Sequence, residues 1–399
     1  MIIKPKVRGF ICTTAHPVGC AAHVAQQQQY VTQQTSEPLK GPQRVLVLGA
    51  STGYGLASRI VSTFAYGADT LGVMFEKPGT ETRPGSAGFY NTQAFEQAAH
   101  QQGRYAKTLN LDAFSNAAKE AVIAAIKADL GQVDLVVYSL ASPRRKDPNS
   151  EQIWSSVLKP IGDPVTRKTL NTDTGEVSDI TLEPATQEEI EQTVKVMGGE
   201  DWELWIQALD AAGVLAPGVK TTAYTYIGKA LTWPIYGHAT IGKAKEDLDR
   251  AAHEIHQLLA QRYGGEARVS VLKALVTQAA AAIPVMPLYI SLLYRVMKEQ
   301  GTHESAIEHV YRLFTSALYG SRTDDLVDAQ GRLRIDLWEL EDSVQSQVET
   351  LWQQVTTDNV SEIADVQGYR DDFFTLFGFG LPEVDYEIEV DPRGLYNLE

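Results

Sequence analysis

The sequence predicts an α/β fold: a doubly wound parallel sheet with helices on both faces, carrying insertions and a helical C-terminal extension. Three observations predict it. The β-branched run Arg44 to Leu48 ends at Gly49 in a glycine-rich turn that opens a helix. Short apolar strands then alternate with helix-period segments, which implies parallel pairing with crossover helices. From Leu288 onward the apolar spacing is mainly helical in period. Together these describe a Rossmann-like core enlarged at both ends.

The elements follow in chain order. Val7 to Cys12 reads as an added strand or loop, and the Gln-rich stretch after it as a helix. Arg44 to Leu48 is the first strand and Tyr54 to Phe64 its helix; Thr70 to Phe75 and Tyr105 to Leu111 are strands. Ala113 to Ala128 is an Ala-rich helix and Val133 to Ser139 a strand. Between Arg144 and Gly218 the apolar rhythm is lost, with Thr166 to Pro184 read as an exposed hairpin or loop. The alternation resumes with strand Thr221 to Ile227, helix Ala239 to Arg262 and strand Ala267 to Leu272, giving six or seven strands. Ile290 to Lys298, His303 to Leu318 and Leu337 to Trp352 are helical in period, and an acidic, aromatic-rich tail ends the chain. The expected organisation is one elaborated domain over 1–399. Its parts are a dinucleotide-binding half at 41–143, an insertion or lid at 144–218, a catalytic and substrate-binding half at 219–294 and a helical extension at 295–399.

Composition narrows the functional classes. The 399 residues are 44% hydrophobic and 21% charged, outside the disordered and collagen-like ranges. Thirty-five Lys and Arg face 50 Asp and Glu, a net charge of −15 that repels a nucleic-acid backbone, so nucleic acid is not an expected partner. Ala274 to Tyr294 carries no formal charge, but Pro284 and Pro287 interrupt it and no basic flank orients it, so no membrane span is expected. Two cysteines and the absence of a signal-like start make a reducing cytoplasm the expected compartment. Cys12, His16, Cys20 and His23 offer a zinc-like set without a close Cys-x-x-Cys pair, and no metal is expected.

Gly49, Ala50, Ser51, Thr52, Gly53, Tyr54 and Gly55 form the turn after the first strand. Glycines there let the backbone approach a pyrophosphate, whose charge the following helix N-terminus stabilises. Glu76, beside Phe75 at the end of the next strand, is placed to accept hydrogen bonds from the adenosine ribose and to repel a 2′-phosphate, so NADH is expected over NADPH. Asp112 and Ala113 follow the third strand beside the adenine, Leu140 and Ala141 follow the fourth beside the cofactor ribose, and Leu275, Val276 and Thr277 follow the last strand.

A proton donor and a cation follow downstream. Tyr236 precedes Lys243 and Lys245, and a nearby ammonium favours a phenolate and strengthens the phenol as a donor. In one continuous helix, seven residues return near the starting face and nine land opposite it, which selects Lys243. Lys245 serves only if Tyr236 lies before the helix, as Pro234 and Gly237 allow. Beyond the last strand, Ile283, Val285, Met286, Leu288, Tyr289 and Leu292 offer an apolar wall for an acyl chain or plain core. Arg144, Arg145 and Lys146 form a basic loop, either solvated or attractive to phosphates and an acidic carrier.

These motifs resemble those of the single-chain trans-2-enoyl-CoA reductases and type V enoyl-acyl-carrier-protein reductases, an enlarged branch of the short-chain dehydrogenase/reductases. The resemblance rests on GASTGYG at Gly49 to Gly55, FEKP at Phe75 to Pro78, AYTYIG at Ala223 to Gly228 and Tyr236 with eight residues before Lys245. It extends to MIIKP at Met1 to Pro5, RGFIC at Arg8 to Cys12, His16-Pro17 and FGFG at Phe377 to Gly380, and so spans the chain. The resemblance implies that Tyr236 and Lys245 are catalytic, that Lys245 also holds the nicotinamide ribose, and that Tyr226 contacts substrate. It implies NADH-dependent reduction of the double bond of a trans-2-enoyl thioester of coenzyme A or acyl carrier protein, no metal, and a monomer. A carbonyl reductase would carry lysine four residues after the tyrosine, where this chain has Thr240. A non-catalytic dinucleotide-binding module would have no need of Tyr236 and Lys245.

Overall fold

The β-branched run forms β1 (Arg44–Leu48), flanked by β2 (Asp69–Met74) on one side and β4 (Val133–Tyr138) on the other. With β3 (Ala106–Asn110), β5 (Leu215–Thr225), β6 (Glu266–Val271) and β7 (Leu333–Arg334) they make a seven-stranded sheet. Its order is β7-β6-β5-β4-β1-β2-β3 and every pair is parallel. The structure is a computed structural model that describes residues 1–394 apart from Glu151 and Arg322. The last five residues of the expected C-terminal tail lie outside the described residues.

Strand alternation sorts the side chains into two cores. Val45, Val47, Leu135 and Val137 face a layer of α1 (Pro17–Gln34), α2 (Gly53–Tyr66), α3 (Ala87–Gln101) and a later helix, Ala306–Arg312. Leu46, Leu48, Leu71, Val73 and Val136 face α4 (Asn116–Ala125), α6 (Glu200–Ala211) and α7 (Thr240–Tyr263), with α5 (Gln187–Met197) packed on α7. A third core joins α8 (Gln278–Ala281) and α9 (Met286–Gln300) to the C-terminal helices. After α10 (Ala306–Arg312) these are α11 (Leu337–Leu340), α12 (Asp342–Gln354), α13 (Val360–Ile363) and α14 (Val366–Thr375).

Several elements depart from their expected limits for identifiable reasons. Helix α3 escapes the apolar pattern because Asn91, Thr92, Gln93 and Glu96 occupy its buried face. Strand β5 begins at Leu215, earlier than expected. Its pairing with β4 slips between Leu215 and Lys220, where Pro217 has no N–H to donate and Gly218 has φ +71°. Within the stretch read as an insertion, residues 165–170 and 177–182 form the expected antiparallel hairpin. Helix α6, by contrast, buries Trp202, Trp205, Ile206 and Leu209 against the sheet. The period over Leu337 to Trp352 resolves into two helices, broken at Glu341 with ψ 137°.

One buried ion pair ties α4 to α6. Asp201, 1% exposed, accepts from Lys119 at 3.0 Å and from the Tyr138 hydroxyl at 3.2 Å, while Trp205 lies under the Lys119 ammonium. Removing one partner strands a buried charge, whereas removing both does not. Asp201→Ala is expected to cost about 3–5 kcal/mol in chemical denaturation, and Lys119→Met combined with Asp201→Leu to recover most of it. Equal losses in the single and double variants would contradict the coupling.

Candidate active site

The strand ends supply a crevice where β1 meets β4. Gly49 has φ +83°, and a Cβ there would collide with the Ser139 carbonyl; a Cβ on Gly55 would strike Gly49. Only glycine lets β1, α2 and the end of β4 approach this closely. Thr52 precedes α2 in extended conformation and makes no side-chain cap, so the first-turn N–H groups lack a side-chain acceptor and suit a bound anion. The Ser51 hydroxyl donates to Glu76 at 2.7 Å, which joins the turn to the end of β2. Asn110, absent from the sequence reading, clamps the Glu76 backbone from both sides, accepting from its N–H and donating to its carbonyl, each at 2.9 Å. Phe75 is 78% exposed, a flat apolar face free to stack on adenine. Asp112 accepts from the Phe114 N–H at the end of β3, and Leu140 and Ala141 leave β4 beside the glycine turn. The residues present fit a dinucleotide.

Tyr226 directly follows β5, and its ring meets Tyr236 edge to face at 5.0 Å. Tyr236 ends a short 3-10 turn, Trp233–Ile235, that begins at Pro234's neighbour and stops before α7 starts at Thr240. The single-helix count that selected Lys243 therefore does not apply. Lys243 is exposed and paired with Glu246 at 2.7 Å, whereas Lys245 turns inward to donate to the Tyr224 carbonyl at 3.3 Å. Burial pulls the Lys245 ammonium down to about 8, and Asp249 opposes the shift. Burial also pushes the Tyr236 phenol well above its usual range, against the Tyr226 N–H and the Thr225 side chain. Desolvation outweighs those two hydrogen bonds, and Tyr236 is a protonated hydrogen-bond donor at neutral pH.

The segment after β6 closes the crevice and is held from three directions. The Tyr54 hydroxyl donates to the Lys273 carbonyl at 3.0 Å, the Ala274 N–H donates to Glu339 at 2.6 Å, and the Val276 N–H reaches the Tyr294 hydroxyl at 3.4 Å. Tyr294 in turn donates to Asp372 at 2.7 Å. Leu275 and Val276 are buried, and the Thr277 hydroxyl caps α8. Lys273, Glu339, Tyr294 and Asp372 escaped the sequence reading because no local spacing links them.

Other candidates resolve as structure. Val285, Leu288, Tyr289 and Leu292 of the expected acyl wall are wholly buried in the third core. Arg145 of the basic loop is buried and paired with Glu200 at 2.7 Å, so that loop is not uniformly solvated. His16 caps α1 by accepting from the Gly19 N–H, and His23 meets Gln27 on the same helix. Among the described residues no group of three or more His, Cys, Asp or Glu is placed to hold a metal.

Comparison with known proteins accords with this geometry. Residues 2–81 match the NAD(P)H binding domain of trans-2-enoyl-CoA reductase and residues 83–319 its catalytic region. Residues 327–390 match a family described as an enoyl reductase FAD binding domain. That segment does not fit a flavin: it has no strand, glycine turn and helix in succession. Its apolar Val344, Val348, Trp352 and Phe373 are core, and its Arg334, Glu339 and Asp365 are engaged with protein partners. The enoyl-[acyl-carrier-protein] reductase [NADH] of Saccharophagus degradans is 60% identical over the full length of both chains. That of Teredinibacter turnerae is 58% identical over 98% of each. The Clostridium acetobutulicum trans-2-enoyl-CoA reductase, solved with NADH, superposes with a TM-score of 0.96 at 41% identity over all of both chains. The Treponema denticola enzyme, solved with NAD, gives 0.94 at 48%, again over all of both. The chain belongs to the trans-2-enoyl-CoA reductase and NADH-dependent enoyl-acyl-carrier-protein reductase family.

Proposed function

We propose that Tyr236 is the hydrogen-bond donor to the thioester oxygen and Lys245 the cation that holds the nicotinamide ribose, in an enzyme that reduces trans-2-enoyl thioesters with NADH. The reaction is the last reduction of a fatty-acid elongation cycle. The observation that carries the reading is the Tyr226–Tyr236 ring contact at the end of β5, with Lys245 on the carbonyl of Tyr224, whose ring meets Tyr54 of the glycine turn. NADH held in the cradle supplies hydride to the β-carbon. As that bond forms, the C2–C3 π pair moves toward the thioester and negative charge gathers on its oxygen, where the Tyr236 O–H stabilises it. Protonation of the α-carbon then gives the saturated acyl thioester. Tyr226 borders the same space and contacts the substrate, while Ser51 and Glu76 with Phe75 hold the adenosine end. Gly49, Ala50, Thr52, Gly53 and Tyr54 line the pyrophosphate turn, Asp112 and Ala113 the adenine, Leu140 and Ala141 the ribose. Leu275, Val276 and Thr277 meet the carboxamide.

The domain reading follows: one elaborated domain in which 41–143 hold the cofactor, 219–294 carry the chemistry, 144–218 flank the crevice and the segment from 295 braces it. Acyl carrier protein and coenzyme A are both carriers the reading accommodates. Cytoplasmic residence is supported by two buried free cysteines, and no helix among the described residues is long and apolar enough to cross a membrane. The extension packed within one chain supports a monomer.

NADH absorbance is expected to fall with crotonyl-CoA and to stay constant with acetoacetyl-CoA; the reverse would make the enzyme a carbonyl reductase. Tyr236→Phe should lower kcat by roughly 100-fold while NADH affinity changes by less than about twofold. Lys245→Met should harm both kcat and NADH affinity, and a larger effect from Lys243→Met would reassign the cation. Glu76→Ala should raise the NADPH to NADH activity ratio, whereas an unchanged ratio would place Glu76 outside cofactor selection.

The Lys245 shift predicts a pH dependence of cofactor binding in the free enzyme. Its ammonium is present below about 8 and lost as pH rises through that value, so NADH affinity should weaken between about pH 7 and pH 9.5. The Lys245→Met profile should be flat over that range, and an equal slope in both proteins would assign the titration to another group.

A further inference from the structure

We propose that Glu339, in the C-terminal segment, is a positioning residue that takes the Tyr226 hydroxyl proton as a hydrogen bond and so leaves Tyr236 as the one phenol able to donate to the substrate oxygen. The inference rests on the reading of Tyr236 given above and adds a residue to it.

Glu339 is wholly buried on α11 and receives three donors. Its Oε1 accepts from the Tyr226 hydroxyl at 2.9 Å and the Tyr289 hydroxyl at 2.7 Å, and its Oε2 accepts from the Ala274 N–H at 2.6 Å. The direction of the Tyr289 bond is fixed by a fourth residue. Gln345 Nε2 lies 2.7 Å from the Glu339 backbone carbonyl, which can only accept, so the amide nitrogen must face this way. The same nitrogen donates to the Tyr289 oxygen at 3.1 Å, which turns the Tyr289 proton toward Glu339. Burial pushes the Glu339 carboxyl upward, and the three converging donors with the nearby Lys273 ammonium pull against it toward the ionised carboxylate, which accepts at both oxygens and donates at neither.

A phenol has one proton. With that of Tyr226 given to Glu339, the Tyr226 oxygen presents only lone pairs to Thr232, 3.2 Å away, and to the crevice. It can orient a donor on the substrate side but cannot stabilise a developing oxyanion. The Tyr236 hydroxyl has no carboxylate acceptor among its hydrogen-bonding neighbours, the Tyr226 N–H and the Thr225 side chain. Glu339 therefore separates the roles of two tyrosines whose rings touch. Glutamine at this position keeps an acceptor for the Ala274 N–H but turns an NH2 group toward the two phenols. Tyr289, already facing the Gln345 amide, would then have no acceptor for its own proton, and Tyr226 would be free to rotate.

The test is a double-variant cycle on crotonyl-CoA reduction, with NADH affinity from fluorescence and folding from circular dichroism and Tm. Glu339→Gln is expected to lower kcat about tenfold while the NADH dissociation constant stays within about twofold. In the Tyr226→Phe background, where no hydroxyl remains to be fixed, the same substitution should cost less than about twofold. Full multiplication of the two losses, or an unchanged kcat in Glu339→Gln, would overturn the proposal. If Glu339→Gln does not fold, Glu339→Gln with Tyr289→Phe removes the proton left without an acceptor and is compared in the same two backgrounds. Tyr236→Phe run alongside separates the two readings. Loss of activity there with none in Glu339→Gln sinks this inference alone, and retained activity in Tyr236→Phe sinks both.

Discussion

The structure depends on one close approach, that of Gly49 to Ser139 at the ends of two adjacent strands. The Ser139 N–H donates to the Leu48 carbonyl at 2.9 Å, and no Cβ fits between Gly49 and the Ser139 carbonyl. On either side of this contact the chain leaves in opposite directions, β1 toward β2 and β4 toward β5. Connections that part at a parallel sheet's C-terminal edge leave a crevice between them. The cofactor candidates and Tyr226 border that edge because each follows a strand: Glu76 after β2, Asp112 after β3, Leu140 after β4, Tyr226 after β5, Leu275 after β6; Tyr236 and Lys245 are brought there by the 3-10 turn and by α7. A side chain at Gly49 would separate the two strands and move each of these groups in turn.

Where the sequence was legible, the information was local. Arg44 to Leu48 with its glycine turn is a strand, a turn and a helix within one window, and the structure places each where the pattern does. The lysine was legible only in part. Helical geometry favoured Lys243, and the break after Tyr236 that reverses the choice was signalled by Pro234 and Gly237 without being required by them. Helix α3 was hidden because polar residues interrupt its apolar buried face, with Thr108 donating to Glu96 and Asn91 donating to the Ser51 carbonyl. The apolar wall was left between acyl site and core for the opposite reason: a run of large apolar residues says that it is buried, not what covers it, and α12 and α14 pack on it here. Glu339 was illegible because its partner Tyr226 lies 113 positions away.

Two electrostatic effects of opposite sign bear on a tyrosine that shares a site with a lysine. A cation nearby favours a phenolate, and removal from water favours a phenol. Desolvation wins at Tyr236, as it does at Lys245, whose ammonium it weakens. Both groups are thereby driven toward their neutral forms by the same burial. For hydrogen-bond donation to a carbonyl oxygen this is the useful direction, since a phenolate has no proton to offer.

The C-terminal segment is tied by buried hydrogen bonds to the loop that follows β6. Two of its carboxylates act on the loop that follows β6, Glu339 through the Ala274 N–H and Asp372 through Tyr294 and the Val276 N–H. The third restraint on that loop comes from the glycine-turn helix, through the Tyr54 hydroxyl. A loop whose backbone groups are held at three successive points by side chains from three regions of the chain cannot shift to accommodate a ligand without breaking buried hydrogen bonds, each left unsatisfied at a cost of about 1–3 kcal/mol. The extension therefore preorganises the loop after β6, in addition to covering α9 with its apolar residues.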